Sequence, residues 1–403
     1  MVNHMQIMDA QRENEIVPLF RLGFRVFFLG GALFSCTAMA LWLLVLRGAP
    51  LLPGVSNPVW WHAHEMIFGF GMAIIAGFVL TAMQNWTGIP GIRGWPLALI
   101  SGLWLLPRLL MPLRGELNTL VMLLDLLWLP LVAGFLAQPV IQVRQWRNLF
   151  FAPLLLVMTL LNALSYYAAF THNWLLAERT FTTAALAIAA LIAVMGGRVI
   201  PFFTARGTGT DKPEPVRALE KLALGSIWLT TLGWLILPRT TLFNILLALG
   251  LAVAALAHLV RLSRWHNKLT KGIPLLWVLH LGYLFIPAGL LAMAAALLNW
   301  GITVSLASHW LTAGAMGTVI LGMIARVSLG HSGRPLELKK PMVTAFILVI
   351  MAGLIRTLLP MLAPGLTSLV YDLSALAWVA AFGLFCRIYW PILTQPRADG
   401  RPG

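Results

Sequence analysis

Apolar runs of about 17 to 25 residues, separated by short polar turns, recur along almost the whole chain. A helix rises 1.5 Å per residue, so a run of that length crosses a hydrocarbon layer about 30 Å thick. Twelve such spans are predicted: 20–46, 61–84, 96–112, 118–138, 149–171, 179–203, 218–238, 240–263, 274–298, 305–329, 341–361 and 368–392. Lipid offers the backbone no hydrogen-bond partner, so each run must satisfy its own amides as a helix. The expected fold is all-α, a polytopic membrane protein with about twelve transmembrane helices.

The polar positions between the spans set the orientation. Arg12 in the leader and the even-numbered loops carry most of the cations, among them Arg93, Arg144, Arg147, Arg206, Lys212, Arg264, Lys271, Arg334 and Lys340, and the tail adds Arg397 and Arg401. The odd loops hold only Arg47, Arg114, Arg179 and Arg239. Cations favour the cytoplasmic side, so both termini are expected there. The first span follows a polar leader of about twenty residues, is too long for a signal-peptide core and has no small-residue cleavage site, so it reads as a retained helix. No loop is long enough to fold as a soluble domain. Residues 1–403 are therefore read as a single transmembrane domain, which the Gly, Pro and charges of 204–217 would divide into halves 1–203 and 218–403.

Composition then narrows the classes. Of the 403 residues 60% are hydrophobic and 10% charged, against about 25% charged in ordinary soluble proteins. That excludes a cytosolic enzyme, a nucleic-acid-binding module and a secreted disulfide scaffold. The net charge of +15 is dispersed over loops, so its partner is the lipid bilayer and not nucleic acid. Cys36 and Cys386 have no metal-ligand spacing and suggest no disulfide framework.

Polar residues at membrane depth carry the chemistry. Of nine histidines, His4, His172 and His266 fall outside the spans. His62 and His64 open the second span, and His309 lies about 6 Å inside the same face on the tenth, which makes one layer. His280, His258 and His331 make a second layer towards the other face. His309 and His331 are about 33 Å apart on one helix and cannot share a metal atom. Neutral imidazole binds haem iron, copper and zinc, so two layers imply up to two metal sites, the alternative for each histidine being a hydrogen bond to a neighbouring helix. In a continuous helix His62 and His64 diverge by about 200°, which favours one inward ligand and one auxiliary imidazole. Glu65 suits either the helix dipole or a proton-relay and supporting role. Arg108 with Asp125, and Arg356 with Asp372, read as buried ion pairs. Arg25, Arg198 and Arg326 lie near cytoplasmic helix ends, where they either snorkel or hold an anion such as a haem propionate.

Several long motifs resemble the NnrS family: FRLGFRVFFLGG at 20–31, WWHAHEMIFGFGMAIIAGFVLTAMQNWTG at 60–88, GGRVIPFFTARG at 196–207, PLLWVLHLGYLFIP at 274–287 and HWLTAGAMGTVILGMIARVSLGHSGR at 309–334. The resemblance implies a multi-spanning protein of the bacterial inner membrane that contains haem and copper and responds to nitric oxide. The run from His62 through Trp86 also looks similar to helix two of haem-copper oxidases and nitric oxide reductases, whose second low-spin haem ligand stands on helix ten, where His309 is here. The resemblance thus implies haem b between His62 and His309. The sixth and seventh spans have no histidine for an oxidase-type copper site, so copper would use His280 and His331, with Met323 as a soft candidate. The expected function is binding or processing of nitric oxide, with protection against nitrosative stress in the setting of denitrification and with an unassigned electron donor. The alternatives are a transporter of copper or a small anion, and a non-catalytic accessory protein.

Overall fold

The computed structural model describes residue 13 and residues 15–401, so His4 and Arg12 lie outside the described residues. Twelve long helices follow one another: α1 Gly23–Leu46, α2 Pro58–Thr87, α3 Trp95–Arg114, α4 Thr119–Gln142, α5 Trp146–Phe170, α6 Trp174–Thr208, α7 Arg217–Ile236, α8 Thr241–Ser263, α9 Pro274–Leu297, α10 Val304–His331, α11 Lys340–Leu362 and α12 Pro364–Thr394. There is no strand among the described residues. Each predicted span corresponds to one helix, with ends that differ by a few residues. Eleven of the helices are long and apolar enough to cross a membrane. The twelfth, α7, opens on Arg217, Glu220 and Lys221, and this charged turn sets it apart from the rest.

Local chemistry explains the boundaries. Asn57 accepts hydrogen bonds from the amides of Val59 (3.0 Å) and Trp60 (3.1 Å), and Pro58 follows as the first helical residue, so α2 begins with its orphan donors capped. It ends at Gly88, which adopts φ 70°, a conformation that favours glycine. Asn118, Thr240 and Thr303 cap α4, α8 and α10 in the same way.

The chain forms two compact units. The first contains the described chain up to Phe181 together with Ile324–Glu337 and the chain from Phe382 onward. In it α2 packs on α1 and α4, and α4 on α3 and α5. The second contains Thr182–Met323 and Leu338–Ala381, with α8 between α7 and α9, and α10 against α9 and α11. Burial differs sharply between helices. The most apolar stretch of α2 is 83% buried and those of α9 and α10 are 72%, against 28% for α1. The three enclosed helices carry His62, His64, His280, His309 and His331, so these imidazoles stand on core elements and not on lipid-facing ones.

Candidate functional site

In the first unit the site is built on the start of α2. His62 stacks on Trp42 of α1, with ring centroids 4.5 Å apart and planes 13° from parallel. His64, two residues on and so about 200° around the helix, faces the interior. It is fully buried and stacks on Trp60 at 4.6 Å. Directly after His64 the helix widens into a π turn over Glu65–Gly71. Such turns often mark functional positions, because the extra residue re-aims side chains and frees backbone groups. Here the Gly69 carbonyl accepts a hydrogen bond from Trp104 Nε1 at 2.9 Å. Gly69 has no room for a side chain: a Cβ would stand 2.6 Å from Glu65 Oε2 and 2.7 Å from Phe34.

Around His64 lies a closed polar network in an apolar surrounding. Its Nε2 is 3.0 Å from Asp125 Oδ2 and 2.9 Å from Asn162 Oδ1, and its Nδ1 is 3.2 Å from Glu65 Oε1. Asp125 pairs with Arg108, as the sequence suggested, and also accepts from Asn162 Nδ2 (2.7 Å) and the Tyr166 hydroxyl (2.9 Å). Arg108 Nε lies 3.4 Å from Glu65 Oε2. The charges decide what this can do. One arginine faces two carboxylates at positions that water does not reach, so charge balance requires one further proton on His64 or Glu65. That proton can sit on Nδ1 of the imidazole or on Oε1 of the carboxyl, and Glu65 therefore belongs to the network whether it acts as proton partner or as orienting group. Both nitrogens of His64 are engaged in this arrangement.

The second unit holds another network, on α6 to α9. Arg261 donates to Glu220 through Nε (2.7 Å) and Nη2 (2.5 Å), and through Nη1 to the Ala193 carbonyl (2.7 Å) and to the Tyr283 hydroxyl oxygen (2.9 Å). With its oxygen taken by the guanidinium, the Tyr283 hydroxyl donates to His258 Nδ1 at 2.7 Å. His258 is thereby an acceptor at Nδ1, which makes its ring neutral. Nearby, His280 Nε2 is 2.9 Å from Thr204 Oγ1, while its Nδ1 is buried and makes no hydrogen bond.

The remaining predicted residues are placed as follows. His309 precedes a second π turn, Trp310–Met316, and its Nδ1 lies 2.6 Å from the Ser305 carbonyl. Trp310 lines an apolar cavity of about 530 Å³, together with Ala248, Ala288, Ala292, Trp300 and Met361. His331 packs on Phe24 at 5.6 Å. Arg25 is fully buried and donates through Nη1 to backbone carbonyls at the C-terminal end of α12. Arg198 and Arg326 are half-buried. His62, His64 and His331 belong to the first unit with Arg25 and Arg326, and His280 and His309 to the second with Arg198. Among the described residues no three His, Cys, Asp or Glu side chains converge as a metal-binding group. The guanidinium of Arg356 lies over the Tyr371 ring at 4.5 Å.

Sequence reasoning missed Asn162 and Tyr166, although their spacing of four on an otherwise apolar span puts both on one helix face. It also missed the Glu220–Arg261–Tyr283 chain. The thiols of Cys36 and Cys386, from near opposite ends of the sequence, interact with each other, a contact that spacing could not suggest.

Eleven helices long and apolar enough to cross a membrane, with buried histidine and arginine networks among them, define a polytopic all-α membrane protein. The family model for NnrS proteins matches residues 18–397, nearly the whole chain. The chain belongs to the NnrS family. No curated protein matches it.

Proposed function

We propose that this protein binds haem and copper in the bacterial inner membrane, and that it binds or metabolises nitric oxide and so limits nitrosative damage. Membership of the NnrS family supports the nitric oxide reading. One observation carries the metal reading, the anchoring of His309. With Nδ1–H donated to the Ser305 carbonyl at 2.6 Å, the ring keeps its lone pair on Nε2. This is the tautomer of a metal-ligating histidine, held by a backbone acceptor.

The cavity lined by the next residue, Trp310, supports the same reading, although His309 itself does not line it. Its volume of about 530 Å³ falls within the ~300–1,000 Å³ of small-molecule sites, and its lining is apolar, as for a macrocycle or a small apolar gas. A single imidazole suffices as the protein ligand of a haem, which would supply redox chemistry and gas binding at iron. His309 would hold it in the second unit, and Trp310 and the alanines would exclude water. Copper asks for more donors. His280, whose buried Nδ1 makes no hydrogen bond, would be a single donor, and among the described residues no cluster of His, Cys, Asp or Glu supplies the rest.

The test is an optical spectrum of purified wild type and His309→Ala, in air, after dithionite and after nitric oxide, with haem and copper contents measured on the same samples. The expected outcome is sharp reduced haem bands that shift with nitric oxide in the wild type and loss of most haem in the variant. Full haem retention by His309→Ala sinks the ligand assignment. A colourless, metal-free wild type sinks the haem reading altogether.

A further inference from the structure

In the first unit the end of the chain folds back across other helix ends. Arg25 Nη1 donates to the carbonyls of Leu393 (3.1 Å) and Gln395 (2.7 Å), so one buried guanidinium caps the C-terminus of α12. The next residues run over the end of α10. The Ala398 amide donates to the Ser332 carbonyl at 3.0 Å, and Arg397 Nη1 donates to that of His331 at 2.8 Å. A side chain on Gly333 would run into the carboxylate of Asp399, so the two segments pass at backbone distance.

This arrangement gathers four arginines. The charges of Arg21, Arg334 and Arg397 all act on Arg25, and those of Arg25 and Arg397 both act on His331. Among the described residues two carboxylates answer them. Asp399 is bound to Arg397 through Nε (2.9 Å) and Nη2 (2.6 Å), and Glu13, itself buried, acts on Arg25. Four guanidinium groups against two carboxylates leave an excess of positive charge, with Arg25 buried and Arg334 and Arg397 half-buried. Arg21 is 5% exposed and spends Nε on the Ile16 carbonyl. Arg334 Nη1 is buried and makes no hydrogen bond, an arrangement that is costly for a cationic donor unless an anion meets it.

We propose that Arg21, Arg334 and Arg397 form a binding site for a phosphate-bearing anion at the membrane surface, with Arg334 as its principal donor. The planar guanidinium fork matches phosphate oxygens in pairs. The cluster lies at the start of α1 and the ends of α10 and α12, where apolar span gives way to polar loop. A phosphodiester of an anionic lipid headgroup reaches that level from the bilayer, and free phosphate reaches it from water. The site stands apart from the histidines of the proposed metal chemistry and does not depend on that reading.

The experiment uses the full chain, purified in detergent. Native mass spectrometry counts bound lipid as dioleoylphosphatidylglycerol or dioleoylphosphatidylcholine is titrated in, and thermal unfolding is followed with and without inorganic phosphate. Wild type should retain phosphatidylglycerol, and Arg334→Gln about fivefold less, the effect of removing one arginine from an anionic headgroup. Arg334→Lys should recover part of the binding, which separates charge from folding, and Arg114→Gln, which removes an exposed arginine at the far end of α3, should bind as wild type does. Stabilisation by phosphate that is lost in Arg334→Gln, without lipid retention, assigns the same site to the free anion. The proposal is overturned if neither probe distinguishes Arg334→Gln from wild type, or if Arg114→Gln loses as much binding.

Discussion

The two polar networks use the same residue types in opposite ways. In the first unit two carboxylates face one arginine, and His64 is drawn in with both ring nitrogens against acceptors. In the second, Arg261 and Glu220 pair one to one, the Tyr283 hydroxyl links the pair to His258, and the imidazole there accepts and carries no charge. A buried histidine on an apolar helix therefore has no fixed role. The balance of arginines and carboxylates around it decides whether it serves as donor or acceptor, and only the network with surplus negative charge holds a proton with two places to sit. Exposure widens the difference: Asp125 and Arg108 are closed off from solvent, whereas the Glu220 side chain is 28% exposed and water shares in its solvation.

The sharpest way to break this contrast is to remove Asp125. Its carboxylate satisfies Arg108, His64, Asn162 and Tyr166 together, so Asp125→Leu strands a buried guanidinium. We expect a loss of about 3–5 kcal/mol and poor accumulation in the membrane. The double variant Arg108→Leu/Asp125→Leu should regain part of that, because no buried guanidinium is left without its carboxylate. Glu220→Gln should cost well under the Asp125 effect, since solvent screens Arg261 at that edge. Thermal unfolding of the detergent-solubilised variants reads all three. Equal losses for Asp125→Leu and Glu220→Gln would mean that exposure does not separate the networks.

A smaller effect sharpens the second network. Tyr283→Phe removes the hydroxyl that accepts from Arg261 and donates to His258, and leaves the ring packed on Trp265 at 4.6 Å. The expected loss is about 1–2 kcal/mol, because Arg261 keeps Glu220 and Ala193 as acceptors while His258 Nδ1 loses its donor. The unfolding temperature should fall modestly, with the protein still fully inserted. A loss as large as that of Asp125→Leu would make the hydroxyl, and not the ion pair, the centre of this network.

These contrasts also show what a sequence of this kind discloses. The twelve helices were legible because hydrocarbon demands a continuous apolar helix, so the number and approximate ends of the spans follow from composition alone. The Arg108–Asp125 pair was legible too, since consecutive antiparallel helices bring equal depths together, and the divergence of His62 and His64 follows from 100° per residue. The π turns at Glu65–Gly71 and Trp310–Met316 were not, because one inserted residue leaves no mark on hydrophobic spacing. Asn162, Tyr166 and the Cys36–Cys386 contact stayed hidden for a related reason. Depth along a helix can be counted from the sequence, but rotation about its axis is set by packing against neighbours.

The weakest electrostatic contact in the first unit gives the smallest expected effect, and its pH dependence has a definite sign. Asp399, beyond the end of α12, is held down to about 2, chiefly by its hydrogen bonds from Arg397. Its folded-state value lies below the ordinary carboxylate value near 3.9, so the contact stabilises the folded chain end above about pH 4. That contribution is lost as the pH falls from about 4 towards 2. The pair is partly exposed, so solvent and salt screen it, and the loss should show as earlier exchange of the Ala398 amide, which is bonded to Ser332, with little change in global unfolding. Asp399→Asn should give the low-pH behaviour at pH 7. In the proposed anion site the same substitution removes a competing carboxylate from Arg397, so phosphatidylglycerol retention should rise while the chain end loosens. A fall in retention would instead make Asp399 a strut that the basic cluster needs.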